Sequence, residues 1–224
     1  MMAVVAHDST PGFERTFAVD YIDFYNRSTF IRWDDAWLEI DAPTDVNLSA
    51  HREWLLFRPQ QDWSLEGNTY PAGSLLAAKF EDYLAGARDL LVLFAPDAHT
   101  SLQSWSWTRN FLLLNLLRDV SSEIRVLDPS VPGVASGRAA AGGSTVDGGA
   151  WASSLLDACP PLHDVNAYAV DDEDDGPADG GAGDDFWLVA TGFTTPSTLM
   201  RGSLTRDPAG TVGSGGAFPG RLAW

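Results

Sequence analysis

The chain has 224 residues, of which 31 are acidic and 14 basic, giving a formal charge of −17, and 45% are hydrophobic. That length and apolar content suffice for one substantial core, whereas the acidity and the lack of any Lys/Arg stripe exclude a nucleic-acid-binding surface. No apolar run reaches the roughly 18 to 20 residues that a membrane-spanning helix needs, and Cys159, the single cysteine, excludes an intrachain disulfide. The start, Met1 to Asp8, carries no basic flank ahead of its short apolar run. These features together predict a cytoplasmic protein whose charge serves solubility.

In chain order, residues 1–16 show no periodicity and are expected to be a disordered start. Alternation of Phe17, Val19 and Tyr21 against Ala18, Asp20 and Ile22 predicts a strand over Phe17 to Phe24. Strands over Thr29 to Trp33 and Trp37 to Ile40 follow, separated by Asn26-Arg27-Ser28 and Asp34-Asp35 turns. Val46 to Ala50 and Glu53 to Arg58 come next, and Pro59 stops the second by removing a ladder donor. Gln60 to Gly73 reads as a long polar excursion. Ser74 to Phe80 resumes as a strand, Glu81 to Ala85 as one helical turn closed by Gly86, and Leu90 to Phe94 as an apolar strand.

The most regular stretch spans Leu102 to Leu127. It predicts strands over Leu102 to Thr108, with Leu102, Ser104 and Ser106 alternating against Gln103, Trp105 and Trp107, then over Phe111 to Leu117 and Glu123 to Leu127, joined by Thr108-Arg109-Asn110 and by Arg118 to Ser122. The middle run is apolar on both faces except at Asn115, the pattern of a central strand covered on each side. A helix through Trp105 to Val120 is the rival reading, because Leu-rich runs are good helix formers. Val131 to Ala150 is too poor in large apolar groups to offset chain entropy and reads as a flexible insertion. Strands over Trp151 to Leu156, Val165 to Val170, Phe186 to Thr191 and Thr198 to Leu204 follow. An acidic, Gly-rich run lies between Val170 and Asp185, and residues 205–224 read as a flexible tail.

Central strands near Trp54, Phe111 and Phe186 recur within similar strand-turn-strand units, which predicts an all-β array. The expected fold is a partial β-propeller of about three four-stranded antiparallel blades with Gly-rich and acidic loop insertions. It covers residues 17–204, with blades at roughly 17–41, 45–95, 100–157 and 164–204. The blocks His51 to Pro59, Thr69 to Phe80, Leu91 to Leu102, Leu112 to Ser122 and Ala190 to Leu199 resemble, in order, the N-terminal β-propeller of the prolyl oligopeptidase family of serine peptidases. The resemblance implies a propeller that gates access of short peptides to an α/β-hydrolase domain, where that family keeps its catalytic Ser, Asp and His. This chain holds no Gly-x-Ser-x-Gly elbow, so no residue inherits the nucleophile's role and the chain is predicted inactive alone. The expected partners are that hydrolase domain and short peptides, with open sheet edges available for self-association. A non-catalytic β-rich interaction module is the alternative.

No catalytic, cofactor or metal residue is assigned. His7, His51, His99 and His163 lack metal-ligand spacing. His99 or His51 with Ser101 or Ser104 and Asp97 supplies the residue types of a triad, but ordinary turn roles are the plainer reading. Asp171, Glu173, Asp175 and Gly176 resemble the opening of a calcium loop whose twelfth position, Ala182, lacks the required carboxylate. Trp105 and Trp107 share a strand face, as an aromatic platform or, more simply, as packing. Cys159 has no basic neighbour to activate it.

Overall fold

The structure is a computed structural model that describes residues 2–132, 151–171, 183–206 and 212–214, and it divides the chain into two compact units, Met1–Ala95 and Pro96–Trp224. The acidic and Gly-rich runs expected to be loops fall largely outside the described residues.

The first unit holds two four-stranded antiparallel sheets. One is a simple meander of β1 (Met2–Asp8), β2 (Arg15–Tyr21), β3 (Arg27–Trp33) and β4 (Ala36–Glu39). The other is formed by β5 (Val46–His51), β6 (Trp54–Pro59), β9 (Leu75–Lys79) and β10 (Leu91–Phe94), with the hairpin β7 (Trp63–Leu65) and β8 (Asn68–Tyr70) inserted between β6 and β9. Leu55, Phe57, Leu76 and Ala78 put one face of this sheet into a core shared with Ile31, Ile40 and Val46. Phe57 sits with its ring 4.7 Å from Tyr83 and 5.7 Å from Trp63, within the 4.5 to 7 Å range of favourable aromatic pairs. Trp63 therefore converts the polar excursion read from Gln60 to Gly73 into a lid over the strand. The helix α1 (Phe80–Leu84) ends in a Schellman motif: Gly86 N–H donates to the Tyr83 carbonyl and Ala87 N–H to that of Asp82, with Gly86 at φ 103°.

The second unit repeats the plan. β11 (Thr100–Trp107), β12 (Leu112–Arg118), β13 (Ser121–Pro132) and β14 (Trp151–Leu155) form one meander sheet; β15 (His163–Ala169), β16 (Asp185–Gly192), β17 (Thr198–Arg206) and β18 (Val212–Ser214) form another. Phe111, Leu113, Ile124 and Val126 from the first sheet pack with Val165, Ala167, Phe186 and Leu188 from the second. The strand reading of Trp105 to Val120 holds against its helical rival, because the Leu-rich β12 is paired on both sides over its whole length.

Three expectations need correction. Residues 1–16 are not a disordered start: β1 pairs with β2 from Met2 through Asp8, and the segment was illegible because Val4 and Val5 are both exposed, leaving no alternation to read. The tail expected from residue 205 contributes β18, and among the described residues each of the four ranges 17–41, 45–95, 100–157 and 164–204 holds most or all of one four-stranded sheet, as a partial propeller requires. Strict alternation along β11 fails at Gln103, where a bulge separates the Leu102–Leu116 and Ser104–Asn115 pairs. Directly paired residues share a face, so Leu102 joins Trp105 and Trp107 instead of opposing them.

A buried ion pair ties the two sheets of this unit. Asp128 on β13 is fully buried and receives Arg206 Nε at 2.5 Å and Nη2 at 2.9 Å from β17, with Ser130 Oγ at 2.7 Å. Burial alone would raise the Asp128 carboxyl. The hydrogen bonds from Arg206 and Ser130 and the guanidinium charge outweigh it and hold the group below its ordinary value. A depressed folded value makes the pair stabilising above the unfolded carboxyl value of about 4 and lost as pH falls through the folded one. Asp128→Asn is expected to cost about 2 to 4 kcal/mol at pH 7, because it leaves the Arg206 charge without its partner. Thermal melts across pH 2 to 7 check this: the gap between variant and wild type should narrow toward acid, and a pH-independent gap would exclude the ion pair as its source.

Candidate functional site

The polar groups with a structural role concentrate where the two sheets of the second unit meet. β15 is the first strand of its sheet, so only one of its edges pairs in the ladder. Val170 N–H, just beyond its end, points to the Asp185 carbonyl; by the two-residue period, the N–H groups of Val165, Ala167 and Ala169 point the other way, toward the neighbouring sheet. Each finds a side chain there: Val165 N–H donates to Ser122 Oγ at 3.0 Å, Ala167 N–H to Asn115 Oδ1 at 2.8 Å, and Ala169 N–H to Ser106 Oγ at 2.9 Å. Asn115 completes the arrangement by donating its Nδ2 to the Ala167 carbonyl at 2.8 Å and to Ser104 Oγ at 3.0 Å. The amide acts as a surrogate strand residue, and the polar exception in an otherwise apolar β12 thereby has its explanation.

A second clamp closes the β11–β12 turn. Asp184, ahead of β16, accepts from Thr108 Oγ1 and Asn110 N at 2.8 Å each and from Asn110 Nδ2 at 2.7 Å, while Arg109 N–H reaches the Gly183 carbonyl. Sequence reading found the turn but not its partner, which lies over 70 residues away.

The residue types of a triad are engaged elsewhere. His99 Nδ1 lies 2.8 Å from Asp119 Oδ1, Ser101 Oγ accepts from Gln103, and Ser104 Oγ accepts from Asn115. Asp97 accepts the N–H groups of His99 and Thr100 at 2.7 Å each, and these turn bonds lower its pKa, the His99 amide foremost. His51 is buried in β5, paired in register with Trp54. His7 meets Thr16 Oγ1 across the β1–β2 ladder. His163 bonds the Pro161 carbonyl through Nδ1 and Thr195 Oγ1 through Nε2.

Trp107 is buried, its ring 5.8 Å from Trp151, which removes it from any exposed platform; Trp105 is half-buried. Burial pushes the Cys159 thiol up, away from thiolate reactivity. Asp171 is the last residue described before the acidic run, and Glu173, Asp175, Gly176 and Ala182 lie outside the described residues. Among the described residues no cluster of three or more His, Cys, Asp or Glu side chains is placed to hold a metal ion, and no helix is long and apolar enough to cross a membrane.

The repeated four-stranded meander sheets define a portion of a β-propeller, and known proteins share that architecture. The fold matches a post-proline cleaving enzyme from Rickettsia typhi with a TM-score of 0.67 over 97% of this chain at 15% identity, and a prolyl endopeptidase with a TM-score of 0.53 over 90% at 15% identity. In sequence the chain is 29% identical over 165 residues to the uncharacterized peptidase y4nA of Sinorhizobium fredii, covering 72% of this chain. No protein-family model matches. The resemblance to the prolyl oligopeptidase family read from the sequence is borne out: the chain has the propeller fold of that family. It spans 19% of the length of the y4nA peptidase, and 29% and 25% of the two solved chains.

Two outcomes check the geometry. Asn115→Ala should destabilise the chain by about 2 to 4 kcal/mol, since the buried Ala167 N–H and C=O both lose their partner, and Ser106→Ala by about 1 kcal/mol; chemical denaturation measures both, and a near-neutral Asn115→Ala would refute the clamp. His99 should titrate above the ordinary histidine range, because the hydrogen bond and charge of Asp119 favour its protonated form, and Asp119→Asn should return it to that range. NMR titration of the ring protons reads this directly.

Proposed function

We propose that this chain is the β-propeller portion of a prolyl oligopeptidase-like serine peptidase, and that it gates access of short peptides to an α/β-hydrolase domain outside the 224 residues. The observation that carries the reading is the match of nearly the whole chain to about a quarter of post-proline cleaving enzymes, together with the sequence relationship to a peptidase. The division of labour follows: the sheets supply a scaffold and an entry filter, and the hydrolase domain supplies nucleophile, base and oxyanion donors. A cytoplasmic location is part of this reading, supported by the lone, half-buried Cys159.

The reading frame 3′ of the Trp224 codon is the direct test. A continuous frame encoding a Gly-x-Ser-x-Gly elbow supports the proposal; a stop codon with a stably accumulating 224-residue product favours a non-catalytic interaction module. The isolated chain is expected to leave a chromogenic proline-containing peptide uncleaved. Turnover by the chain alone that a serine-reactive phosphonate abolishes would overturn the assignment of catalysis to another domain.

A further inference from the structure

Strand β5, like β15, begins its sheet and has one edge without a ladder partner. Gln60 N–H, beyond the end of β6, donates to the Asp45 carbonyl, whereas Val46 N–H turns away from β6 to the Pro43 carbonyl. By the two-residue period, the N–H and C=O groups of Leu48 and Ala50 leave the free edge in the same direction as Val46 N–H. In the second unit the neighbouring sheet answers such N–H groups with Ser122, Asn115 and Ser106. The first unit has no such answer. Its facing sheet presents Ala6, Phe17 and Val19, and among the described residues the Leu48 and Ala50 backbone groups on this edge have no hydrogen-bond partner.

A groove of about 370 Å³, within the range of small-ligand pockets, lies between the two sheets of this unit and borders the same edge. Phe17, Val19, Ile40, Leu48 and Leu55 make its walls apolar. Its two ends carry charge. Arg27 lines the groove, and its N–H donates to the Thr44 carbonyl at 2.8 Å, which sets it beside the start of β5. Arg27 Nε is buried without an acceptor, and the guanidinium lies 5.5 Å from the centre of the Tyr21 ring. Asp8 marks the other end, because it pairs in register with Arg15, whose guanidinium bonds the Arg52 carbonyl in the β5–β6 turn. The Asp8 carboxylate already accepts Thr10 N–H at 3.0 Å and feels the Arg15 cation, so Arg27 is the less satisfied of the two charges.

Each feature asks for a different group. An open strand edge takes alternating donors and acceptors at strand spacing, apolar walls take alternate side chains, and a buried guanidinium takes a carboxylate. We propose that this groove is a non-catalytic binding site for a short extended peptide, which adds to the β5 edge with its free C-terminal carboxylate on Arg27 and an apolar side chain against Phe17 and Leu55. Because β5 starts at the Arg27 end, a peptide that finishes there runs antiparallel to it. From Val46 to Ala50 the edge is about 13 Å long, room for about four extended residues. An acyl carboxylate of similar size would satisfy Arg27 and the walls but leave Leu48 and Ala50 unpaired. A second copy of the chain is disfavoured as the occupant, since two bodies of −17 repel when brought face to face. The site lies wholly within the first unit and does not depend on the reading under Proposed function.

Calorimetric titration of the 224-residue chain with the tetrapeptide Ala-Leu-Ala-Leu, its C-terminal amide, its N-acetyl form and octanoate tests this, with amide hydrogen exchange followed by NMR on the same samples. The free-acid peptide should bind saturably. Bound peptide should slow exchange of the Leu48 and Ala50 amides at least about tenfold, while Ser49, whose N–H faces β6, should not change. Amidating the carboxylate, or Arg27→Gln, should weaken binding about tenfold or more, whereas acetylating the amino end should cost little. Ala50→Pro removes one edge donor but leaves Arg27 and the walls in place, and proline is accepted on an edge strand with its nitrogen facing outward. It should weaken binding without lowering the melting temperature; should it unfold the chain, the comparison of acid with amide on the wild type still reads the site. No saturable binding up to about 1 mM, or equal affinity for acid and amide, overturns the proposal. Octanoate that binds as tightly as the peptide assigns the groove to acyl carboxylates and overturns it as well. Protection of Leu48 and Ala50 that grows with chain concentration in the absence of peptide assigns the edge to a second copy, with the same consequence.

Discussion

The second unit depends on the free edge of β15. A strand that begins a sheet presents a row of backbone N–H and C=O groups with no ladder partner, and when apolar packing excludes water from that row each unpaired group costs about 1 to 3 kcal/mol. Val165, Ala167 and Ala169 are buried against the neighbouring sheet, so solvation is not available to their amides. The chain meets the demand with side chains: Ser122, Asn115 and Ser106 accept the three N–H groups at the spacing of alternate strand residues. Two sheets that share no ladder hydrogen bond are therefore joined in register, and the apolar packing of Leu113 and Ile124 against Leu188 is aligned with the same geometry.

This constraint explains why so much of the fold was legible and where legibility stopped. Central strands such as Leu112–Arg118 and Asp185–Gly192 carry their own signal, because a strand covered on both faces must be apolar throughout. Edge strands carry little. β1 exposes Val4 and Val5 together, and β18 is Val-Gly-Ser; both are specified by the neighbour they pair with. The bulge at Gln103 was hidden for a related reason, since alternation before and after it is regular and only the partner strand reveals the extra residue. Trp63 and Tyr70 sit in a polar stretch, and they are buried in a chain of ring contacts in which Trp63 meets Phe57 of another strand and Tyr70 meets Trp63.

Of the polar residues that matter, Asn115 alone announced itself, as a break in an apolar run. Asp184 gave no such sign, being one of several acidic residues beside a low-complexity segment, and its role appears only once β11 and β16 are adjacent. Asp128 resembled any strand-end carboxylate until Arg206 met it from a strand 78 residues away. In each case the chemistry is set by long-range pairing, which composition and local period do not encode.

The histidines illustrate how such a scaffold can carry the residue types of catalysis without the arrangement. A general base needs one ring nitrogen directed at a nucleophile and the other oriented by an acceptor. His163 has both nitrogens engaged, one by the Pro161 carbonyl and one by the Thr195 hydroxyl from the β16–β17 turn, and the His99 Nδ1 meets Asp119 of the β12–β13 turn. These contacts fix loop conformation, including that of Leu162, whose φ of 61° is spanned by the hydrogen bond between His163 and the Pro161 carbonyl. The imidazoles of this unit thus join neighbouring loops to one another, a structural use that the residue type alone does not reveal.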